Sequence, residues 1–207
     1  MKQPLVCLLL LVTAGCASPA PPPPPAASDE VKAEGVLRKA NQLVAGGDLD
    51  AAIICFSEAI KLDPTLSLAY VNRATCYIFH GKFDEAMADC TRVIELDPTS
   101  AVAYSYRGGI YDELGEHEKA IADYSKAIEL DPEQRESYSK RAETYEIQGE
   151  FESAIADHSR VIELDPTDAW AYYDRAEAYD LKGDKEKAEA DFAKALTEDP
   201  VRRQRAE

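Results

Sequence analysis

The sequence contains few of the residues that usually build catalytic and metal-binding sites. It has three histidines, one tryptophan and two methionines in 207 residues, and its five cysteines include no CxxC pair. The spacings typical of zinc proteases (HExxH), serine hydrolases (GxSxG) and phosphate-binding loops (GxxxxGK) are absent. The sequence therefore gives no chemical basis for an enzyme, and we expect no catalytic residues, no metal and no cofactor.

Basic residues are also scarce. Lysine and arginine together number 23 against 39 aspartates and glutamates, which gives a formal net charge of -16. A chain this acidic is repelled by nucleic-acid phosphates and by anionic lipid. We therefore expect no nucleic-acid partner, and we favour a protein partner that offers apolar and basic residues.

The most apolar stretch of the chain lies at its N-terminus. Lys2 precedes the apolar residues 5–12, and small residues follow as far as Cys16. The apolar stretch is too short to span a bilayer, and this order of residues is typical of a secretory signal peptide, which we place at residues 1–15.

The end of this leader resembles a bacterial lipobox. Thr13, Ala14, Gly15 and Cys16 match its usual form, Leu-Ala-Gly-Cys, except at Thr13. The resemblance implies an exported lipoprotein in which Cys16 carries acyl chains, palmitate included, and anchors the chain in the cell envelope. Ala17 favours the outer membrane, facing the periplasm. Secretion as a soluble periplasmic or extracellular protein is the alternative.

A proline-rich segment follows the lipobox. Five consecutive prolines occupy residues 21–25, a composition typical of a stiff polyproline spacer. We expect residues 16–30 to form a tether, so that the chain contacts the membrane through its lipid anchor only.

From residue 31 onward the sequence repeats every 34 residues. Asp-Pro recurs five times at this spacing, from Asp63-Pro64 to Asp199-Pro200. A proline ends a helix, and a glycine in the middle of each repeat indicates that a first helix ends there, so each repeat is predicted to hold two helices. The glycines are Gly47, Gly81, Gly115, Gly149 and Gly183, and alanines follow five residues later at Ala52, Ala86, Ala120, Ala154 and Ala188.

Tyrosine columns complete a pattern that resembles the tetratricopeptide repeat. The tyrosines are Tyr70, Tyr104, Tyr138 and Tyr172, with a second column at Tyr77, Tyr111, Tyr145 and Tyr179. The resemblance implies an all-α fold, a right-handed superhelical solenoid of five helical hairpins that is stabilised by stacking. The predicted repeats are 31–64 (divergent), 65–98, 99–132, 133–166 and 167–200 (self-capping), followed by a basic tail, 201–207.

Two charged columns predict a ladder of ion pairs between helices. Arg73, Arg107, Arg141 and Arg175 recur on the first helices, and Asp89, Asp123, Asp157 and Asp191 recur on the second. We interpret them as bidentate structural pairs. Cys55 and Cys76 fall on neighbouring helices, where a disulfide and buried free thiols are both open alternatives.

The family resemblance implies that partners bind in a concave groove lined by the first helix of each repeat. Its predicted positions are apolar at one end, with Leu37, Leu68, Val71, Asn72, Thr75, Phe79, Val102 and Tyr106. At the other end they are acidic and aromatic, with Asp112, Glu143, Glu146, Trp170, Tyr173 and Glu177. Trp170 is a candidate binding hot spot, although it could instead pack on a neighbouring repeat. The acidic residues could equally serve solubility.

The sequence thus predicts an envelope-anchored scaffold that binds a partner segment with apolar and then basic residues. The alternative is a self-associating structural protein, a homo-oligomer whose groove is filled by another copy or by its own tail. The arginines of that tail are Arg202, Arg203 and Arg205.

Overall fold

The computed structural model describes residues 26–198, which form ten α-helices without a strand. The predictions for the signal peptide, Cys16 and the basic tail lie outside the described residues. No helix in the described part is both long and apolar enough to cross a membrane. The helices are α1 Ala27–Ala45, α2 Leu49–Leu62, α3 Ser67–Phe79, α4 Phe83–Leu96, α5 Ala101–Glu113, α6 His117–Leu130, α7 Arg135–Ile147, α8 Phe151–Leu164, α9 Ala169–Lys182 and α10 Lys185–Glu198.

Glycine and the Asp-Pro dipeptide set the ends of these helices. Inside each hairpin one glycine adopts the left-handed backbone conformation, with φ between 67° and 91°, which only glycine enters without a steric cost. Between hairpins, Asp63 ends α2 and its Oδ1 accepts hydrogen bonds from the amide and the hydroxyl of Thr65, at 2.9 and 2.6 Å. The chain therefore reverses direction at regular intervals.

Successive helices pack side by side into a solenoid, which confirms the predicted all-α fold of stacked hairpins. The alanine that follows each turn glycine is at most 2% exposed in all five hairpins, and lies where the two helices approach each other. Small side chains at this position allow close helix packing, and the apolar core is shared between neighbouring hairpins. Its buried clusters run along the whole stack.

The predicted ladder of Arg–Asp pairs is confirmed. In the fourth hairpin, Arg141 Nε and Nη2 donate to the two carboxylate oxygens of Asp157, both at 2.8 Å, and Nη1 donates to Ser125 of the preceding hairpin at 2.8 Å. The hydrogen bonds to Asp157 raise the pKa of Arg141. The same bidentate geometry recurs at Arg73–Asp89, Arg107–Asp123 and Arg175–Asp191.

The three cysteines of the helical region are free and buried. Of the two alternatives left open for Cys55 and Cys76, the structure therefore shows the free thiols. Burial raises the pKa of the Cys90 thiol to about 12, which leaves it protonated and unreactive at neutral pH. These cysteines serve as small core residues.

Candidate functional site

A pocket of about 600 Å³ opens on the side of the solenoid formed by the first helices. Its walls come from α3, α5 and α7, the first helices of three consecutive hairpins, and from α6. The pocket brings together five of the predicted groove residues. They are Thr75, Phe79, Tyr106, Asp112 and Glu143.

Exposed apolar side chains form two rows across the first helices, and the members of each row occupy one column of the 34-residue repeat. The N-terminal row stands where the first helices begin and contains Leu68, Val102 and Trp170, which are 52, 42 and 75% exposed. The C-terminal row stands where they end and contains Phe79, Ile147 and Leu181, which are 75, 66 and 58% exposed. Eleven residues separate Leu68 from Phe79, so the two rows lie about 16 Å apart along the helix axis.

The sequence pattern predicted all three residues of the N-terminal row, Leu68, Val102 and Trp170. Of the C-terminal row it predicted only Phe79. The missing signal was present, because Ile147 and Leu181 occupy the same column of the repeat as Phe79. Exposed aliphatic residues therefore occur in the later hairpins as well, at Ile147 and Leu181, where the prediction had only acidic and aromatic residues.

Asp112 supports the pocket wall instead of offering a free carboxylate. Its Oδ2 accepts hydrogen bonds from the hydroxyls of Tyr124 at 3.1 Å and Thr144 at 2.7 Å, and its Oδ1 lies 3.1 Å from His117 Nδ1. Burial and then the charge of Asp112 raise the pKa of the Tyr124 hydroxyl. Asp112 thus lines the pocket, and its carboxylate also joins α5, α6 and α7.

The remaining predicted carboxylates lie on α7 and α9. Glu143 is paired with Lys140 at 2.7 Å, and Glu146 Oε1 lies 3.0 Å from His158 Nε2. Glu177 lies beside Tyr173, and its hydrogen bond raises the pKa of the Tyr173 hydroxyl. Of these carboxylates, Glu143 is therefore engaged by Lys140, and Glu146 by His158.

Trp170 and Tyr173 form an exposed aromatic pair at this acidic end. Their rings meet edge to face with centroids 6.2 Å apart, and Tyr173 packs in the same manner on Phe192 at 5.3 Å. Three-quarters of Trp170 remains exposed. Its contact with Tyr173 leaves most of the indole surface available to a partner, as a docking residue requires.

The first hairpins contribute less to the groove than predicted. Leu37 is 7% exposed and belongs to the core cluster of the first two hairpins, so its assignment to the groove was wrong. Val71 is half-buried and packs on the core, Thr75 donates its hydroxyl to Val71 O at 3.1 Å, and Asn72 donates to Asn41 Oδ1 at 2.8 Å. Of these three side chains, only Thr75 lines the pocket.

The arrangement has the properties of a binding surface. Within residues 26–198 no group of three or more His, Cys, Asp or Glu side chains is placed to hold a metal ion. The three histidines are engaged within the protein, with His80 3.8 Å from Asp50, His117 beside Asp112 and His158 beside Glu146.

Solved structures of other repeat proteins share this architecture. The crystal structure of MamA is 27% identical, with 80% of this chain and 96% of that chain covered and a TM-score of 0.72. TTC0263, a thermophilic TPR protein of Thermus thermophilus, is 25% identical over 81% and 92% of the chains, with a TM-score of 0.66. YrrB, described as a TPR protein with an unusual peptide-binding site, is 22% identical over 80% and 85%, with a TM-score of 0.64, and shows the fold.

Models of the tetratricopeptide repeat match nearly the whole helical region. Matches to models described as "Tetratricopeptide repeat" cover residues 34–66, 67–100, 101–134 and 171–202, and one described as "TPR repeat" covers 144–183. Together with the hairpin stack, these matches show that the chain belongs to the tetratricopeptide repeat family.

Proposed function

We propose that the protein is a non-enzymatic scaffold that binds a segment of another protein in its concave groove. The observation that carries this proposal is the pocket flanked by exposed apolar side chains from successive first helices. A pocket lined by exposed apolar side chains together with a few polar ones is typical of an interaction site. The tetratricopeptide repeat is a protein-interaction fold, which supports the same function.

The ligand suited to this groove carries apolar residues together with basic ones. Phe79 and Ile147 of the C-terminal row line the pocket beside Glu113 and Glu143. With a net charge of -16 on the chain, basic partners are also favoured in diffusional encounter.

Affinity capture with a groove variant tests this function. The full-length protein is compared with the triple variant Leu68→Glu, Phe79→Glu and Trp170→Ala, after circular dichroism has shown unchanged helicity. The matched control is Ile54→Glu with Leu196→Glu, which alters exposed apolar residues of the second helices α2 and α10. Partners lost only with the groove variant support the proposal. Partners retained by it, or lost equally with the control, contradict it.

We further propose that Cys16 anchors the scaffold in the bacterial envelope, with the outer membrane facing the periplasm as the expected site. The support is the leader sequence and its resemblance to a lipobox. In cells labelled with radioactive palmitate, the protein should incorporate label and sediment with membranes, whereas Cys16→Ser should do neither. An unlabelled, soluble wild type would indicate plain secretion instead.

Self-association is the second candidate function, and the opposite charges of the tail and the groove favour it. The tail contains three arginines, and the groove near α7 and α9 is acidic. Light scattering of the full chain and of a variant without residues 201–207 separates the two functions. A dimer that dissociates on truncation supports self-association, and a monomer in both cases excludes it.

A further inference from the structure

Asp174, a residue that the sequence analysis did not select, is a half-buried carboxylate without a hydrogen-bond donor in the described part of the chain. It lies on α9 and takes part in none of the hydrogen bonds or ion pairs that engage its neighbours. Burial raises its pKa, and the charges of Glu143, Glu177 and Glu146 raise it further, against the opposing effect of His158. A carboxylate removed from water in this way normally requires a cationic or hydrogen-bonding partner.

His158 provides a second, independent observation at the same place. Its side chain is 1% exposed, and it reaches from α8 to Glu146 of α7, with Nε2 3.0 Å from Glu146 Oε1. Nδ1 of the same ring is buried without a hydrogen-bond partner. Buried polar atoms in folded proteins are nearly always satisfied. Because His158 also acts electrostatically on Asp174, this unsatisfied ring nitrogen belongs to a residue that lies beside the carboxylate cluster.

The charges around Asp174 do not balance. Lys140 on α7 is the basic side chain of the cluster, and it is paired with Glu143 at 2.7 Å. His158 pairs with Glu146. Asp174 and Glu177, both on α9, therefore form no ion pair with a basic side chain among these neighbours. The cluster keeps a net negative charge.

The aromatic pair lies next to these carboxylates on the same helix. Trp170 and Tyr173 precede Asp174 and Glu177 by about one turn, and both rings are at least 40% exposed. Aromatic faces beside carboxylates suit a guanidinium group, which forms bidentate hydrogen bonds and also stacks on rings, better than a compact ammonium group.

We propose that Asp174, Glu177 and Glu146 form a subsite for an arginine side chain of the bound protein segment, with Trp170 and Tyr173 packing on its guanidinium group and on the neighbouring apolar residue of that segment. This inference rests on the proposed function, because it specifies one contact of the groove ligand. It gives that ligand an orientation, with its arginine at α7–α9 and its other apolar residues toward the pocket at α3–α7.

The single tryptophan provides a direct measurement, because Trp170 borders the subsite. The intact protein is titrated with N-acetyl-Phe-Arg-amide and with N-acetyl-Phe-citrulline-amide, a neutral probe of nearly the same shape, while tryptophan fluorescence is recorded. We expect the arginine probe to bind about tenfold more tightly, because it adds a charge-assisted contact, and this preference should shrink in high salt.

Two charge-neutral variants locate the effect. Asp174→Asn should weaken binding of the arginine probe about tenfold and leave the citrulline probe unaffected. Glu189→Gln, which removes one negative charge from an exposed position on α10, should change neither affinity. Circular dichroism checks that both variants remain folded.

Equal affinities for the two probes, or full arginine preference in Asp174→Asn, would overturn the subsite. Absence of binding by the arginine probe would overturn it as well. None of these results would contradict the proposed function, which fails if the triple groove variant retains the partners or if the control variant loses them equally.

Discussion

Gly108 shows how a single residue is fixed by the side chain opposite it. The other four hairpins carry alanine in this column, at Ala40, Ala74, Ala142 and Ala176. A Cβ added at Gly108 would lie 2.9 Å from two ring carbons of Tyr124, which is 1% exposed and cannot easily move. The Tyr124 ring therefore packs directly against the backbone of Gly108, where an alanine would collide with it.

Gly108→Ala should therefore destabilise the protein by about 1–2 kcal/mol, since overpacking outweighs the gain in helix propensity. The control is Gly109→Ala on the same helix, where the added Cβ would be 3.6 Å from the Tyr124 hydroxyl, an ordinary contact. Gly109→Ala should stabilise the protein by about 0.5–1 kcal/mol, because alanine is favoured over glycine inside a helix. Thermal unfolding followed by circular dichroism measures both, and equal shifts of the two midpoints would contradict the packing argument.

Asp174 illustrates the opposite situation, a residue that costs stability. Because burial raises its pKa, the folded protein holds the Asp174 proton more tightly than the unfolded chain does. Ionised Asp174 thus destabilises the fold above its folded pKa, and the penalty disappears as the pH falls below the unfolded value of about 3.9. Binding residues often carry such a cost.

Asp174→Asn should accordingly raise the free energy of unfolding at neutral pH, by about 1 kcal/mol or less. The difference from the wild type should shrink as the pH is lowered toward the unfolded pKa. Urea unfolding at a series of pH values measures this difference. A variant less stable than the wild type at neutral pH would show that Asp174 has a structural partner.

At the scale of helices, the Arg–Asp pairs connect the first and second helix in the second to fifth hairpins. Arg141 and Asp157 are 18 and 9% exposed in their side chains, so both are largely removed from water. Arg141 also reaches Ser125 in the preceding hairpin. The pair therefore aligns three helices, and it contributes to stability only when both of its residues are present.

Asp157→Ala should destabilise the folded protein by about 2–3 kcal/mol, because it leaves the Arg141 charge largely buried and unpaired. Replacing both members of the pair, as Arg141→Met with Asp157→Leu, should recover most of the free energy of unfolding that Asp157→Ala loses. Glu163→Ala, which removes the partner of Arg160 in an exposed pair, should have almost no effect. Urea unfolding of the three variants tests this, and a double variant as unstable as Asp157→Ala would contradict it.

At the scale of the whole molecule, stability is distributed along the stack. Each hairpin buries its apolar face on its neighbours, so a central hairpin has two such interfaces. Among the described helices α10 packs chiefly on α9, while α5 and α6 lie between neighbours on both sides. The central hairpins should therefore open least often.

Hydrogen exchange should show this gradient directly. We expect the slowest amide exchange in α5 and α6 and the fastest in α10, by at least about tenfold, because the end of the stack opens without disturbing the centre. Mass spectrometry of peptic fragments resolves the individual helices. Uniform exchange along the chain would instead indicate that the described hairpins unfold as one cooperative unit.

The sequence alone determined the fold, the helical hairpins and the Arg–Asp pairs. Each of these depends on residue types at fixed spacings, such as the turn glycines or the columns of Arg73 and Asp89. Because the period is 34 residues throughout, the same local structure recurs in each repeat. Most of the exposed apolar residues were predictable for the same reason, and Ile147 and Leu181 were missed although their column was visible.

Only the tertiary structure decided how individual groove residues are used. Leu37 is buried, Asp112 is engaged by Thr144 from 32 residues away, and Asp174 is left without a donor among the described residues. These outcomes depend on how neighbouring helices are oriented and on which side chain each residue faces. The period fixes where a residue stands in its repeat, whereas the partner that it meets comes from another repeat with different residues.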